Sequence, residues 1–173
     1  ENPAEKDYIL WNNYYEYQFE HADEVDYIIN STDAQTRLLT EQFAQYTNIK
    51  PKEIWTIPVG SLDKLRRPEG ERKPFGLITA SRLASEKHID WLIRSVVKAH
   101  EHLSELTFDI YGTGGEEAML RDLIEELEAG DYIRLMGHHH LTDVYKNYSA
   151  YLTASTSEGF GLTLLEAVGS GLP

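Results

Sequence analysis

Glu158 and Glu166 are separated by seven residues, and the turn SEGFG that carries the first leads into the helix-forming run LTLLEAVGSG that carries the second. A turn that follows an apolar strand and opens a helix points backbone N–H groups and the positive end of the helix dipole outward, which suits an anionic or hydroxyl-rich ligand. Gly159 and Gly161 let such a ligand approach the backbone where a side chain would hold it off. Were the whole interval helical, the two carboxylates would lie roughly 12 Å apart along the axis. Paired carboxyls in glycoside hydrolysis lie about 5 to 9.5 Å apart, so the two glutamates are read as touching different parts of one extended ligand. The plainer readings are a simple tight turn and an exposed helical glutamate.

Arg82 and Lys87 fall five positions apart in SRLASEKH, a loop between a strand-like run and a helix. A planar guanidinium fork and a mobile ammonium together make a clamp for a diphosphate; the alternative is a surface ion pair with Glu86. The loop YGTGGEE allows a close backbone turn at Gly112 beside such a diphosphate. It is not a dinucleotide fingerprint, because Glu117 stands where G-x-G-x-x-G needs its last glycine. His138, His139 and His140 are adjacent on an extended loop, point in different directions and have no carboxylate or Cys at ligand spacing. They are not read as a metal site.

These loops need a scaffold that brings them together. From residue 74 onward, strand-like apolar runs (75–81, LTFDIYG, YIRLMG, YLTAS) alternate with helix-period segments. Ile89, Leu92, Ile93, Val96 and Val97 form one apolar stripe, closed by Leu103. Met119, Leu120, Leu123, Ile124 and Leu127 mark a second helix ended by Gly130, and residues 142–148 a short third one. Continuous rather than alternating apolar strands predict a parallel sheet with helices on both faces, an α/β Rossmann-like fold. Ligands bind such sheets beyond the carboxyl ends of the strands, where SRLASEKH, GTGGEE, GHHHLT and SEGFG all fall. Before this unit, residues 8–23 read as an aromatic-rich helix, DYIINST as a buried strand, 34–46 as a helix capped by Thr32 or Asp33, and EIWTIPVG as another strand. Residues 61–73, polar and without apolar period, read as a linker between an α/β tail (1–60) and the second domain (74–173). Both chain ends cut into elements, so a fragment of a larger protein is expected.

Composition narrows the ligand class. A formal charge of −13 argues against nucleic acid or anionic lipid as the main partner. Residues 74–173 hold seven basic residues against fifteen acidic ones, so anion binding must be local, and two of the seven are Arg82 and Lys87. No run approaches the roughly 18 apolar residues of a membrane span. The chain has no cysteine, which removes thiolate chemistry and disulfides; the cytoplasm is the default location.

The ordered set SRLASEKHIDWLI, DIYGTGG and SEGFGLTLLEAVGSGLP resembles the retaining GT-B glycosyltransferases of family four, whose hallmark is E-x(7)-E in the form EGFG-x-x-x-x-E-A. NNYYEYQF, TIPVGS, RKPFGLITASRLASEKHIDWL and YLTASTSEGFGLTLLEAVGSGLP are similar to the accessory-secretion branch of that family, which adds N-acetylglucosamine to serine-rich repeat adhesins. The resemblance implies a donor-binding domain for a UDP-sugar, with Arg82 and Lys87 on the diphosphate, Glu166 on the ribose hydroxyls and Glu158 beside the donor sugar at the reacting centre. It further implies that backbone amides of Gly159, Phe160, Gly161, Leu162 and Thr163 meet the ligand and that Gly137 and His138 line the uracil. It implies transfer with retention and no metal cofactor, a protein or glycan acceptor, a B-type glycosyltransferase-like partner subunit, and peripheral association with the inner face of the membrane. Two alternatives stand beside this: transfer to teichoic acid or another glycan, and a non-catalytic partner subunit, in which the four donor residues would be eroded. Acceptor contacts belong to the other domain, so this fragment alone is expected to bind donor weakly and to transfer nothing.

Overall fold

The computed structural model describes residue 21 and residues 24–46, 52–58, 72–158 and 160–173. The chain divides into two compact units, Glu1–Val59 and Gly60–Pro173. The expected helix at 8–23, apart from residue 21, and the expected linker, apart from residues 72 and 73, lie outside the described residues.

In the first unit, β1 (Tyr27–Asn30) and β2 (Glu53–Thr56) pair in parallel, with α1 (Asp33–Tyr46) between them in sequence. Thr32 caps α1, its hydroxyl accepting the Gln35 N–H at 3.2 Å. The Thr36 and Thr56 hydroxyls, 2.8 Å apart, and the Asn30 amide bonded to Thr36 place α1 on the face that carries Asn30 and Thr56. β1 is therefore not the buried strand expected: among the described residues only one face of the pair is covered, and Tyr27 and Ile29 on the other are exposed.

The second unit is a four-stranded parallel sheet. β3 (Gly76–Ala80), α2 (Ile89–His100), β4 (Thr107–Tyr111), α3 (Glu117–Glu126), β5 (Ile133–Gly137), β6 (Ala150–Tyr151) and α4 (Leu162–Gly169) follow one another, and the strands are ordered β5-β4-β3-β6. Strand alternation splits the core between two faces. Phe108 and Ile110 pack with Leu83, Ile93, Leu120 and Ile133 on one side. Ile78, Ala80 and Tyr111 pack with Tyr145, Ala167 and Leu172 on the other. Burial on both faces is why these strands read as continuous apolar runs.

Several element ends differ from the sequence expectation. α2 stops at His100, so Leu103 sits in the following turn, 38% exposed, and Leu106 takes the buried place. α3 is closed by Glu128 in the left-handed region (φ 51°) rather than by Gly130, which lets Ala129 turn inward and bond its N–H to the Ile124 carbonyl at 2.9 Å. The segment 142–148 is reduced to a 3₁₀ turn at Tyr145–Asn147. β6 is two residues long instead of five, because the chain beyond Leu152 leaves β3 and bonds instead to the loop that follows β3, the Thr156 N–H reaching the Glu86 carbonyl at 3.0 Å.

Candidate functional site

The strand order sets the site. β4 and β5 are added on one side of β3 and β6 on the other, so strand order reverses between β3 and β6, and the loops leaving the carboxyl ends of these two strands are where sheets of this kind bind ligands. These loops carry Arg82, Lys87 and Glu158.

The loop after β3 is pinned at its base. Its Ser81 N–H donates to the Tyr111 carbonyl at 3.0 Å, Leu83 N–H to the Thr113 carbonyl at 3.0 Å, and the Leu83 side chain is 1% exposed. Beyond this anchor Ser85–Lys87 forms a 3₁₀ turn, followed by His88 in the left-handed region at φ 47°. Arg82 projects outward, 71% exposed, and pairs with Glu86 at 2.6 Å. Hydrogen bonds to its own backbone and to Arg82 hold the Glu86 carboxyl below the usual glutamate range. Lys87 does the opposite. Its side chain is only 12% exposed; Nζ lies 2.8 Å from Glu158 Oε1 and donates to the Ser157 carbonyl at 3.1 Å. Lys87 is thus not the solvent-facing side chain its loop position suggests. His88 Nε2 and the Thr156 hydroxyl, 3.1 Å apart, complete the brace between the two loops.

Glu158 is held in its charged form. Partial burial pushes its carboxyl up, but the hydrogen bond from Lys87, one from Ser155 and the Lys87 charge outweigh this and keep it below the ordinary glutamate value. Phe160 and Gly161 are not helical and α4 begins at Leu162, so the interval from Glu158 to Glu166 is helical only in part. Gly161, at φ 69°, takes the N-cap position of α4, leaving Leu162 exposed and Thr163 half-buried in the first turn. Phe160 is half-buried; Gly159 lies outside the described residues.

Glu166 sits one turn further along α4, half-buried, on a post made by tyrosines. The Tyr145 hydroxyl lies 3.3 Å from Glu166 Oε2 and 3.2 Å from the Thr163 carbonyl. Tyr151 donates to the Ala80 carbonyl at 2.9 Å and lies 3.0 Å from the Thr163 hydroxyl, tying α4 to the end of β3. Nothing in the spacing of these aromatics distinguishes them from core filling, and the sequence reading passed over them.

The loops after β4 and β5 leave the same carboxyl edge of the sheet. Gly112 (φ 131°) bonds its N–H to the Gly137 carbonyl at 2.8 Å, and a Cβ there would stand 1.8 Å from the Ser81 carbonyl oxygen. The close backbone turn expected at Gly112 is therefore present. Gly137 (φ 72°) ends β5 after a register shift opposite Ile110 and Tyr111, and His138 follows it in an exposed position. His139 meets the Tyr111 ring edge-on at 5.6 Å. Tyr111 is itself held by Tyr148, whose hydroxyl donates to buried Asp109 at 2.6 Å, while Arg134 pairs with the same carboxylate at 2.8 Å. Among the described residues no group of three or more His, Asp or Glu side chains is arranged to hold a metal ion.

The structure thus joins Lys87 to Glu158, gives Arg82 to Glu86, and holds Glu166 apart on α4. A paired ammonium, a guanidinium on the same loop, a helix N-terminus and two carboxylates at one edge of the sheet can hold a ligand with an anionic middle and hydroxyl-bearing ends.

Comparison with known proteins agrees with that chemistry. The chain is 63% identical over all 173 residues to the UDP-N-acetylglucosamine–peptide N-acetylglucosaminyltransferase GtfA subunit of Streptococcus pneumoniae, and spans 34% of that protein. It superposes on the crystal structure of the pneumococcal O-GlcNAc transferase GtfA in complex with UDP and GlcNAc with a TM-score of 0.86 and 62% identity, covering 94% of this chain and 32% of that one. It matches a GtfA/B complex with a TM-score of 0.75, again at 62% identity and with 94% and 32% coverage. The chain therefore spans about a third of the length of the relatives it matches. The family model for group 1 glycosyl transferases matches residues 62–173, and the chain belongs to that family.

Proposed function

We propose that this chain is the donor-binding part of a glycosyltransferase that moves N-acetylglucosamine from UDP-GlcNAc to Ser or Thr hydroxyls of a serine-rich repeat protein. The observation that carries this reading is the 63% identity to the GtfA subunit, in an alignment that runs the length of the chain and so through the loops after β3 and β6. In this reading Arg82 and Lys87 take the diphosphate, Glu158 the donor sugar, and Glu166 the ribose. Amides of Gly159, Phe160, Gly161, Leu162 and Thr163 meet sugar hydroxyls and phosphate. Gly112 brings backbone to the diphosphate, and Gly137 with His138 borders the uracil.

The reaction breaks the bond from sugar C1 to the phosphate oxygen and forms one from C1 to the acceptor oxygen on the same face. The acceptor proton passes to the departing UDP. Negative charge grows on the diphosphate as the bond breaks, so cations at Arg82 and Lys87 stabilise the transition state more than the bound donor. These two cations supply the charge that a divalent metal would otherwise supply, and no metal is assigned to the reaction. A second, glycosyltransferase-like subunit is the proposed partner, by analogy with the GtfA/B complex. The reaction is placed in the cytoplasm, at the inner membrane face.

The test is product analysis with the full-length enzyme, UDP-GlcNAc and two acceptors, a serine-rich peptide and a teichoic acid. Mass addition of N-acetylhexosamine to peptide Ser or Thr is expected. Preferential modification of the teichoic acid would replace the acceptor, and free sugar released as fast as transferred sugar would sink the transferase reading.

A further inference from the structure

The residues assigned to the donor leave Tyr145 unused, although it is the largest fully buried side chain of the described residues and ends against one of them. It lies on the 3₁₀ turn Tyr145–Asn147, its backbone N–H bonded to the Leu141 carbonyl, and its ring is packed with Ala167, Leu172 and Tyr151. A side chain so enclosed has one rotamer open to it, so its hydroxyl is a fixed point beneath α4. From that point it reaches Glu166 Oε2 at 3.3 Å and the Thr163 carbonyl at 3.2 Å.

We infer that Tyr145 is a positioning residue for the nucleoside: it engages one carboxylate oxygen of Glu166 and so presents the other to the ribose hydroxyls. The inference rests on the assignment of Glu166 to the ribose made above. A half-buried helical glutamate still has several rotamers open to it, and selecting a ribose over its deoxy form needs an acceptor held in one place. Burial, followed by the neighbouring Glu166 charge, raises the Tyr145 hydroxyl far above its ordinary value, so it remains a neutral donor throughout the working pH range. Its single proton serves two acceptors, both at the long end of hydrogen-bond distance. It guides the carboxylate more than it locks it, and the effect on selectivity is modest.

The test is calorimetric titration of the full-length enzyme with UDP, 2′-deoxy-UDP and inorganic pyrophosphate. Tyr145→Phe is expected to lower the preference for UDP over 2′-deoxy-UDP by about 3- to 10-fold, the worth of one ordinary hydrogen bond, while pyrophosphate affinity stays put. Glu166→Ala is expected to lower that preference further, and the double variant to behave as Glu166→Ala does. If Glu166→Ala loses the preference and Tyr145→Phe keeps it, Tyr145 is only core packing, and the inference falls while the ribose assignment stands. If Glu166→Ala keeps the wild-type preference, the ribose assignment falls and takes the inference with it. Should Tyr145→Phe not fold, 3-fluorotyrosine introduced at Tyr145 replaces it, keeping the ring's shape while making its hydroxyl a stronger donor: an unchanged preference for UDP over 2′-deoxy-UDP overturns the inference, and an altered one with unaltered pyrophosphate affinity supports it.

Discussion

Arg82 and Lys87 carry the same formal charge on one short loop, yet their surroundings give them different roles. The Lys87 ammonium, with its side chain 12% exposed, is shared between Glu158 and the Ser157 carbonyl, whereas Arg82, 71% exposed, has a surface ion pair. Exposed pairs contribute little to stability, and a partly enclosed ammonium with two acceptors contributes more. Arg82→Ala is expected to shift unfolding free energy by no more than about 0.5 kcal/mol. Lys87→Ala removes one donor from Glu158 and one from the Ser157 carbonyl and is expected to cost about 1 kcal/mol. Urea unfolding separates the two. Both variants should lose the rise in melting temperature that excess UDP gives the wild type; an equal rise in the variants would show that the clamp lies elsewhere. The lowered Glu158 carboxyl adds a pH signature. Because its folded value lies below its unfolded value of about 4.3, the contribution is fully present above that pH and is lost as pH falls through the folded value. Thermal melts should therefore show a gap between wild type and Glu158→Gln that is constant near neutrality and closes in acid.

At the scale of elements, two positive-φ glycines on neighbouring loops face different constraints. Gly112 combines φ 131° with a carbonyl oxygen 1.8 Å from where a Cβ would stand, while Gly137, at φ 72°, has open space at that position. Gly112→Ala must therefore displace the loop after β3 as well as adopt a strained backbone, and is expected to cost about 1 to 3 kcal/mol and to weaken UDP binding. Gly137→Ala carries the backbone term alone, about 1 to 2 kcal/mol. Chemical denaturation with UDP titration on both variants checks this, and a Gly112→Ala protein with wild-type UDP affinity would remove that turn from the site. The short β6 belongs to the same scale. By leaving the ladder after two residues, the chain frees the segment around Thr156 to bond to the Glu86 carbonyl and carry Glu158 to Lys87.

At the scale of the molecule, the chain spans about a third of its relatives, and in the proposed reading the acceptor side belongs to the remainder. The 173-residue chain alone is expected to bind UDP weakly in calorimetry and to form no glycopeptide, while the full-length enzyme forms it; turnover by the short chain would show that the acceptor side lies within it. Much of this molecule was legible from residue order. Period-3.6 stripes such as Ile89, Leu92, Ile93 and Val96, and apolar runs on consecutive positions such as Leu77 and Ile78 in β3, report burial directly, because one covered face or two leaves its own spacing in the chain. The loops between them are short and lie at the strand carboxyl ends, so SRLASEKH and SEGFG stand out as candidate ligand loops from their place in the alternation. Helix and strand ends were less legible: Glu128 rather than Gly130 closes α3, since a left-handed residue is chosen by where the next side chain must be buried. Pairing belonged to the tertiary structure alone. Lys87 and Glu158 are 71 positions apart and meet only because β6 is laid beside β3, and Tyr145 reaches Glu166 only because α4 is folded over it. Local sequence carries propensity and burial, which are properties of neighbours along the chain. Which cation faces which carboxylate is a property of strand order, and strand order arises only when the sheet is assembled.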